Sequence, residues 1–212
     1  MGTIKSHLIE MGKNVIIDKN VIIGYGNEDL GKIIIGDNSI IRAGTIIYYG
    51  TKIGNNFKTG HNVIIRENNV VGDNIIVGSG SELAPGNSIG NYTTIHSQCF
   101  LENTALGEYN FIAPGVKFLD DRLPIDPNPE NYKGAIVGDD SAIGGGSVIL
   151  PHIHIGSKVL IGAGSVVTKN IPREQVWAGN PAKFIRNIKD IKKEHNLSYL
   201  PGTRTRYNMV EK

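Results

Sequence analysis

From Val137 to Thr168 the chain sets an aliphatic residue at every sixth position, usually followed by glycine: VGDDSA, IGGGSV, ILPHIH, IGSKVL, IGAGSV, VT. The residue four places on is small or aliphatic (Ser141, Ser147, Ile153, Val159, Ser165). A helix face recurs at 3.6 residues and a half-buried strand at 2, so a period of six fits neither alone. It fits a solenoid in which six residues make one short flat strand and a corner, with three such units closing a coil. The same phase runs back through Ile17, Ile23, Ile35, Ile41, Ile47, Ile53, Ile65, Val71, Val77, Leu83, Ile89, Ile95 and Leu101. Asp29 and Thr59 are the two misses, the first inside GYGNEDLGK, a corner insertion. After Leu101 the phase slips by one to Leu106, Ile112 and Phe118, lapses from Leu119 to Ile136, and resumes at Val137. The pattern predicts an all-β parallel solenoid.

In such a coil the period-six aliphatics point inward and stack as Ile/Val ladders along three parallel sheets. Gly36-Asp37-Asn38, Gly54-Asn55-Asn56, Gly72-Asp73-Asn74 and Gly90-Asn91 fall at corners, where residues that tolerate positive φ and bond their own backbone are needed. The expected organisation is an N-terminal cap over 1–16, the coil over 17–171 with an excursion at 119–136, and a C-terminal helix and tail over 172–212. Pro172 ends the repeat, and Pro181 after Asn180 reads as the first residue of a helix. AKFIRNIKDIKKE, Ala182 to Glu194, carries Phe184, Ile185, Ile188 and Ile191 at helical spacing and is expected to cover the last coil.

Composition agrees with a narrow aliphatic core. Aromatic residues make up only 7% of the 212 positions against 40% hydrophobic, with 27 glycines for corners. A net charge of +2 gives no nucleic-acid footprint. One cysteine, Cys99, excludes an internal disulfide framework and suits a reducing compartment. No stretch reads as a signal peptide or membrane span, so the expectation is a cytoplasmic protein without membrane insertion.

IGGGSVILP, IGSKVLIGAGSVVTKNIP and VWAGNPAKFI closely resemble the C-terminal signature of the hexapeptide-repeat acyltransferases, in their acetyl-CoA-dependent branch. The resemblance runs from about Ile17 to Ile171. It implies a left-handed parallel β-helix, a homotrimer, and acetyl-CoA along the groove between neighbouring prisms. Handedness comes from the resemblance alone, since it breaks the usual right-handed crossover rule.

Acyl transfer from a thioester needs a placed nucleophile, donors for the developing oxyanion and, for weak nucleophiles, a base. The excursion LDDRLPIDPNPENYKGAI is where such groups are expected, because long loops in a regular fold are usually functional. Galactoside-type and xenobiotic-type O-acetyltransferases carry a catalytic histidine just after the matching coil. The stretch Ala113 to Pro124 has none. It resembles instead the Phe-Thr-Asn-Asp lead-in of N-acetyltransferases acting on nucleotide-linked amino sugars, whose Asn contacts the sugar amine. By position that role falls on Asp120, with Asp121 matching the following Asp and Arg122 beside them; Leu119 and Asp120 depart from the pattern. An amine is partly neutral near physiological pH and manages with positioning and weak acid/base help, whereas a hydroxyl needs a well-placed base.

Four histidines are further candidates. His61, in KTGHNVIIRE, and His152, in ILPHIHIG, are possible proton acceptors; His96 and His154 are possible acceptor contacts; His7 and His195 are bystanders. The resemblance places the donor's pantetheine along small residues of the last coils (Ala142, Gly145, Gly146, Ala163, Ser165) and its adenine and phosphate end near Lys169, Pro172 and Lys183. No metal is expected: zinc-binding relatives of this fold pair two histidines five residues apart, and no histidine lies five residues from His96. The expected activity is acetylation of an amino group on a nucleotide-activated sugar. The alternatives are O-acetylation of a sugar or small hydroxyl compound, a zinc-dependent carbonic-anhydrase-like protein, and a non-catalytic scaffold.

Overall fold

A computed structural model describes residues 6–123, 127–195 and Gly202. The chain winds as a left-handed parallel β-helix of triangular section, with a short helix near its C-terminal end. Each coil contributes one strand to each of three sheets. Among the described residues the first runs from Ile9–Met11 to His154–Ile155, the second from Ile16–Ile17 to Lys183–Asn187, and the third from Ile22–Tyr25 to Val166–Val167. Parallel pairing therefore begins at Ile9–Met11, upstream of Ile17, where the count of aliphatics starts. The tail beyond His195 lies outside the described residues apart from Gly202.

Register follows the period. Ile53, Val71, Ile89, Leu106, Val137 and Ile155 stack one above the next along the first sheet. Ile41, Ile47, Ile65, Leu83, Ile95, Leu101 and Ile112 are fully buried, each contributing roughly 1.5–3 kcal/mol through its side chain. Thr59 takes an inward place despite its hydroxyl, because Oγ1 accepts from Arg42 N at 2.8 Å and meets Thr45 Oγ1 at 3.3 Å. Asp29 lies in a short 3-10 turn, Glu28–Leu30, capped by Asn27. Cys99 is buried, with its thiol on the Ala113 carbonyl at 3.2 Å.

The corner between the first and second sheets shows why Asp and Asn recur. Lys13 N donates to Asp37 Oδ1, Asp37 N to Asn55 Oδ1, Asn55 N to Asp73 Oδ1 and Asp73 N to Asn91 Oδ1, at 2.6–2.8 Å. Each side chain thus takes a backbone donor from the coil before it. Gly36 stands where a Cβ would lie 2.4 Å from the Gly54 carbonyl carbon, so the coils approach too closely for any side chain.

Two irregularities place the site. The coil after Leu101 is one residue short, since Ser88 and Ile89 pair with Ala105 and Leu106. The next is long: Leu106 pairs with Val137 and Phe118 with Ile149, thirty-one positions on. The surplus leaves the corner between the third and first sheets as the expected excursion.

The C-terminal expectation needs correction. Lys183–Asn187 is a strand, antiparallel to Gln175–Ala178, and only Ile188–His195 is helical. Pro181 sits in the turn joining the two strands rather than opening a helix. Gln175–Ala178 would otherwise end the second sheet with an unpaired edge, and the returning strand satisfies it. Phe184 and Ile185 are about half exposed, while Ile188 is buried. Their spacing served a strand as well as a helix, and the open edge decided between them.

Candidate functional site

The excursion leaves the prism at Leu119, whose N donates to Ile149 O at 3.1 Å, and returns to register at Lys133, whose N donates to Asp120 O at 2.9 Å. Beneath it lies a cleft of about 440 Å³ lined by Asn68, Ala84, Pro85, Gly86, Glu102, Asn103, Asp120 and Tyr132.

Two carboxyl groups meet in this cleft. Asp120 N donates to Glu102 Oε2 at 3.4 Å. Burial, then the charge of Asp120, hold the Glu102 carboxyl above its ordinary range, with Glu82 on the neighbouring strand adding to the effect. Burial also raises Asp120, opposed by its hydrogen bond with Glu102, while Asp121 pushes it up further. Two like charges this close favour sharing a proton, and such a pair accepts one more readily than an isolated surface carboxylate. Glu102 was not singled out from sequence. The signal was available: it stands in the short corner eighteen positions before Asp120, one coil away.

The other predicted residues are scattered. Asp121 turns into its own loop and accepts from Leu123 N at 2.9 Å, and Arg122 is exposed. His152 belongs to the excursion's base, with Nε2 on Asn131 O at 3.1 Å. His61 lies at another corner, between the second and third sheets, with its backbone N on Ser79 Oγ. His96 packs 4.9 Å from the Phe111 ring, and among the described residues its buried Nε2 has no hydrogen-bond partner. His154 lies on the outer face of the first sheet, its N bonded to Asn170 Oδ1. Within one chain, only Asp120 of the predicted catalytic and acceptor residues lines the cleft.

The expected donor residues divide as well. Gly145, Gly146 and Ala163 occupy successive coils at the corner between the second and third sheets, where Gly164 N donates to Gly145 O. Ala142 is on the outer face of the second sheet between Phe111 and Leu160. Lys169 stands across the third sheet, and Lys183 begins the last strand, paired with Ala178. Ser165 is fully buried, its Oγ donating to Gly162 O at 2.6 Å and accepting from Gly179 N at 3.2 Å, so its hydroxyl is spent inside the prism. Among the described residues no three His, Cys, Asp or Glu side chains group as metal ligands would, and no helix is long and apolar enough to cross a membrane.

Residues 134–169 match the family described as bacterial transferase hexapeptide (six repeats), and residues 32–67 match the hexapeptide repeat of succinyl-transferase. Both matched segments lie within the coil. Over 95 residues the chain is 39% identical to the galactoside O-acetyltransferase of Escherichia coli, covering 42% of itself and 47% of that protein. Over 69 residues it is 38% identical to the 2,3,4,5-tetrahydropyridine-2,6-dicarboxylate N-acetyltransferase of Staphylococcus aureus, covering 31% and 29%. It thus spans less than half the length of these curated relatives. Its fold is that of a UDP-N-acetylglucosamine acyltransferase from Bacteroides fragilis, at TM-score 0.64 and 18% identity, over 88% of this chain and 74% of the other.

One residue tests how tightly the coil holds the excursion. A Cβ on Gly134 would stand 2.3 Å from the carbonyl oxygens of Asn103 and Glu102. Gly134→Ala is expected to destabilise the fold by about 1–3 kcal/mol, read by denaturant titration, because backbone on both sides cannot yield. An unchanged midpoint would mean that the returning segment is free to move away.

Proposed function

We propose that the protein transfers the acetyl group of acetyl-CoA to an amino group of a nucleotide-activated sugar, working as a homotrimer. One observation carries the reading: the cleft under the excursion is walled by the Glu102–Asp120 carboxyl pair. Acetyl transfer is what the relatives' names describe, to oxygen in one and nitrogen in the other. The lead-in at Leu119-Asp120-Asp121 supports the amino-sugar acceptor.

The acceptor enters as an ammonium, attracted by the ionised pair. The pair takes one of its protons, leaving a neutral amine and a singly charged, proton-sharing pair. The amine nitrogen forms a bond to the thioester carbonyl carbon as the C=O electron pair moves onto oxygen. Collapse of that adduct breaks the C–S bond, and the nitrogen's surplus proton passes to the departing sulfur. Products are the amide and the free thiol, and the pair returns its proton to water. The small corner at Gly145, Gly146 and Ala163 would let a pantetheine arm lie close to the backbone, with Lys169 and Lys183 available to phosphates.

Thiol release measured across nucleotide-linked amino sugars and their hydroxyl counterparts tests this. Release is expected with an amino sugar and not with its hydroxyl counterpart. Release with hydroxyl acceptors alone would overturn the reading in favour of O-acetylation, and release with neither would overturn both.

A further inference from the structure

We propose that His152 is a positioning residue: it clasps the returning end of the excursion and so fixes the Tyr132 wall of the cleft, without taking a proton from the substrate. The inference rests on reading the cleft as the acceptor site.

His152 occupies an unusual place for its side chain. At this corner the left-handed backbone position is filled coil after coil by Gly50, Asn68, Gly86 and Asn103, with φ between +43° and +81°. His152 takes the same position at φ +61°. A side chain on a left-handed backbone carries modest strain that the prism bears at other corners too, at Tyr92, Tyr109, Lys158 and Glu174 with φ of +58° to +61°. What distinguishes His152 is where its ring goes.

From this corner, three consecutive carbonyls of the excursion are held. Asn131 O accepts from His152 Nε2 at 3.1 Å, Tyr132 O from Asn103 Nδ2 at 3.0 Å, and Lys133 O from His152 N at 3.0 Å. His152 supplies two of the three donors, one from its ring and one from its backbone. Tyr132 lies between them, so its approach to Asp120 is set by both neighbours. Lys133 N closes the base of the excursion on Asp120 O. While Nε2 holds the Asn131 carbonyl it must carry a proton, and that nitrogen cannot act as a base. Both the neutral Nε2–H tautomer and the imidazolium can make this bond, so the clasp is not a pH switch.

Three forms of the protein decide the matter. His152→Gly keeps the backbone position, relieves its strain and removes only the ring; His152→Gln restores a donor of similar reach. Amide exchange over 127–135, followed by mass spectrometry, should speed up about tenfold in His152→Gly, as loss of one hydrogen bond implies, and recover in His152→Gln. With an amine acceptor, KM for that acceptor should rise about tenfold while kcat stays within about threefold. Unchanged exchange would overturn the clasp. A fall in kcat of about a hundredfold at constant KM, with loss of the acid limb of the pH profile, would make His152 a base and overturn the positioning role. If the unaltered protein transfers acetyl to no amine, the proposed activity fails by itself, and exchange alone decides the clasp.

Discussion

Asn87→Leu is expected to cost about 3 kcal/mol of folding free energy, although leucine matches asparagine closely in volume. Asn87 is buried behind the cleft at 1% exposure. Its Nδ2 donates toward Ala84 O at 2.6 Å, Asn69 Oδ1 at 2.9 Å and Leu101 O at 3.1 Å, while Oδ1 accepts from Thr104 N at 2.8 Å. Asn69 repeats the arrangement one coil earlier, donating to Arg66 O at 2.8 Å and Ala84 O at 3.1 Å. A leucine would leave Thr104 N and several carbonyls buried without that partner, and each such group costs about 1–3 kcal/mol. Added apolar burial of about 1–2 kcal/mol offsets only part of this. Denaturant unfolding reads the difference, and a loss under about 0.5 kcal/mol would show that the two-asparagine ladder is dispensable.

Asp120→Asn should lower kcat/KM for an amine acceptor by about a hundredfold or more, the usual scale for losing a proton-transfer group together with its charge. The shape of the pH profile is the sharper readout. In the unaltered protein activity should rise with pH as the pair loses its shared proton, at an apparent pKa above the ordinary carboxylate range. With Asp120 neutral, Glu102 loses one of the causes that raise it, so the remaining limb moves to lower pH. Stability moves differently. Both carboxyls are raised above their unfolded values, so what they contribute to folding is present at low pH and lost as pH rises through the folded-state pKa. At neutral pH Asp120→Asn should therefore melt no lower than the parent, which separates lost chemistry from lost fold. A profile unchanged in height and position would remove the pair from the reaction.

The coil was legible because its signal is geometric. An inward aliphatic at every sixth position leaves few other ways to bury Ile53, Val71 and Ile89 over one another. Even the misses were informative, since Thr59 and the slip after Leu101 each mark a place where backbone bonding or corner length departs from the rule. The excursion was legible as a gap in phase, and Asp120 was singled out through the resemblance of its lead-in. Glu102 could be reached only by counting one coil back from Asp120, because its importance comes from the coil above it rather than from its sequence neighbours. His152 was visible as chemistry but not as geometry: sequence shows a histidine, and only the left-handed corner shows why its ring turns toward Asn131. The strand Lys183–Asn187 was misread because amphipathic spacing is local, whereas the unpaired edge it covers is not.

The stacking of corner upon corner makes the molecule a ruler. Neighbouring strands in a sheet are about 4.8 Å apart, so inserting or removing one whole coil moves everything beyond it along the axis by that step. Such a change leaves every side chain at its own corner and facing the same way. Length changes of other sizes, like the short coil after Leu101 and the long one after Phe118, are absorbed at one corner and leave the ladders on either side in register. Separation along the axis is therefore set by the number of coils, while a corner can be shortened or enlarged without disturbing that spacing.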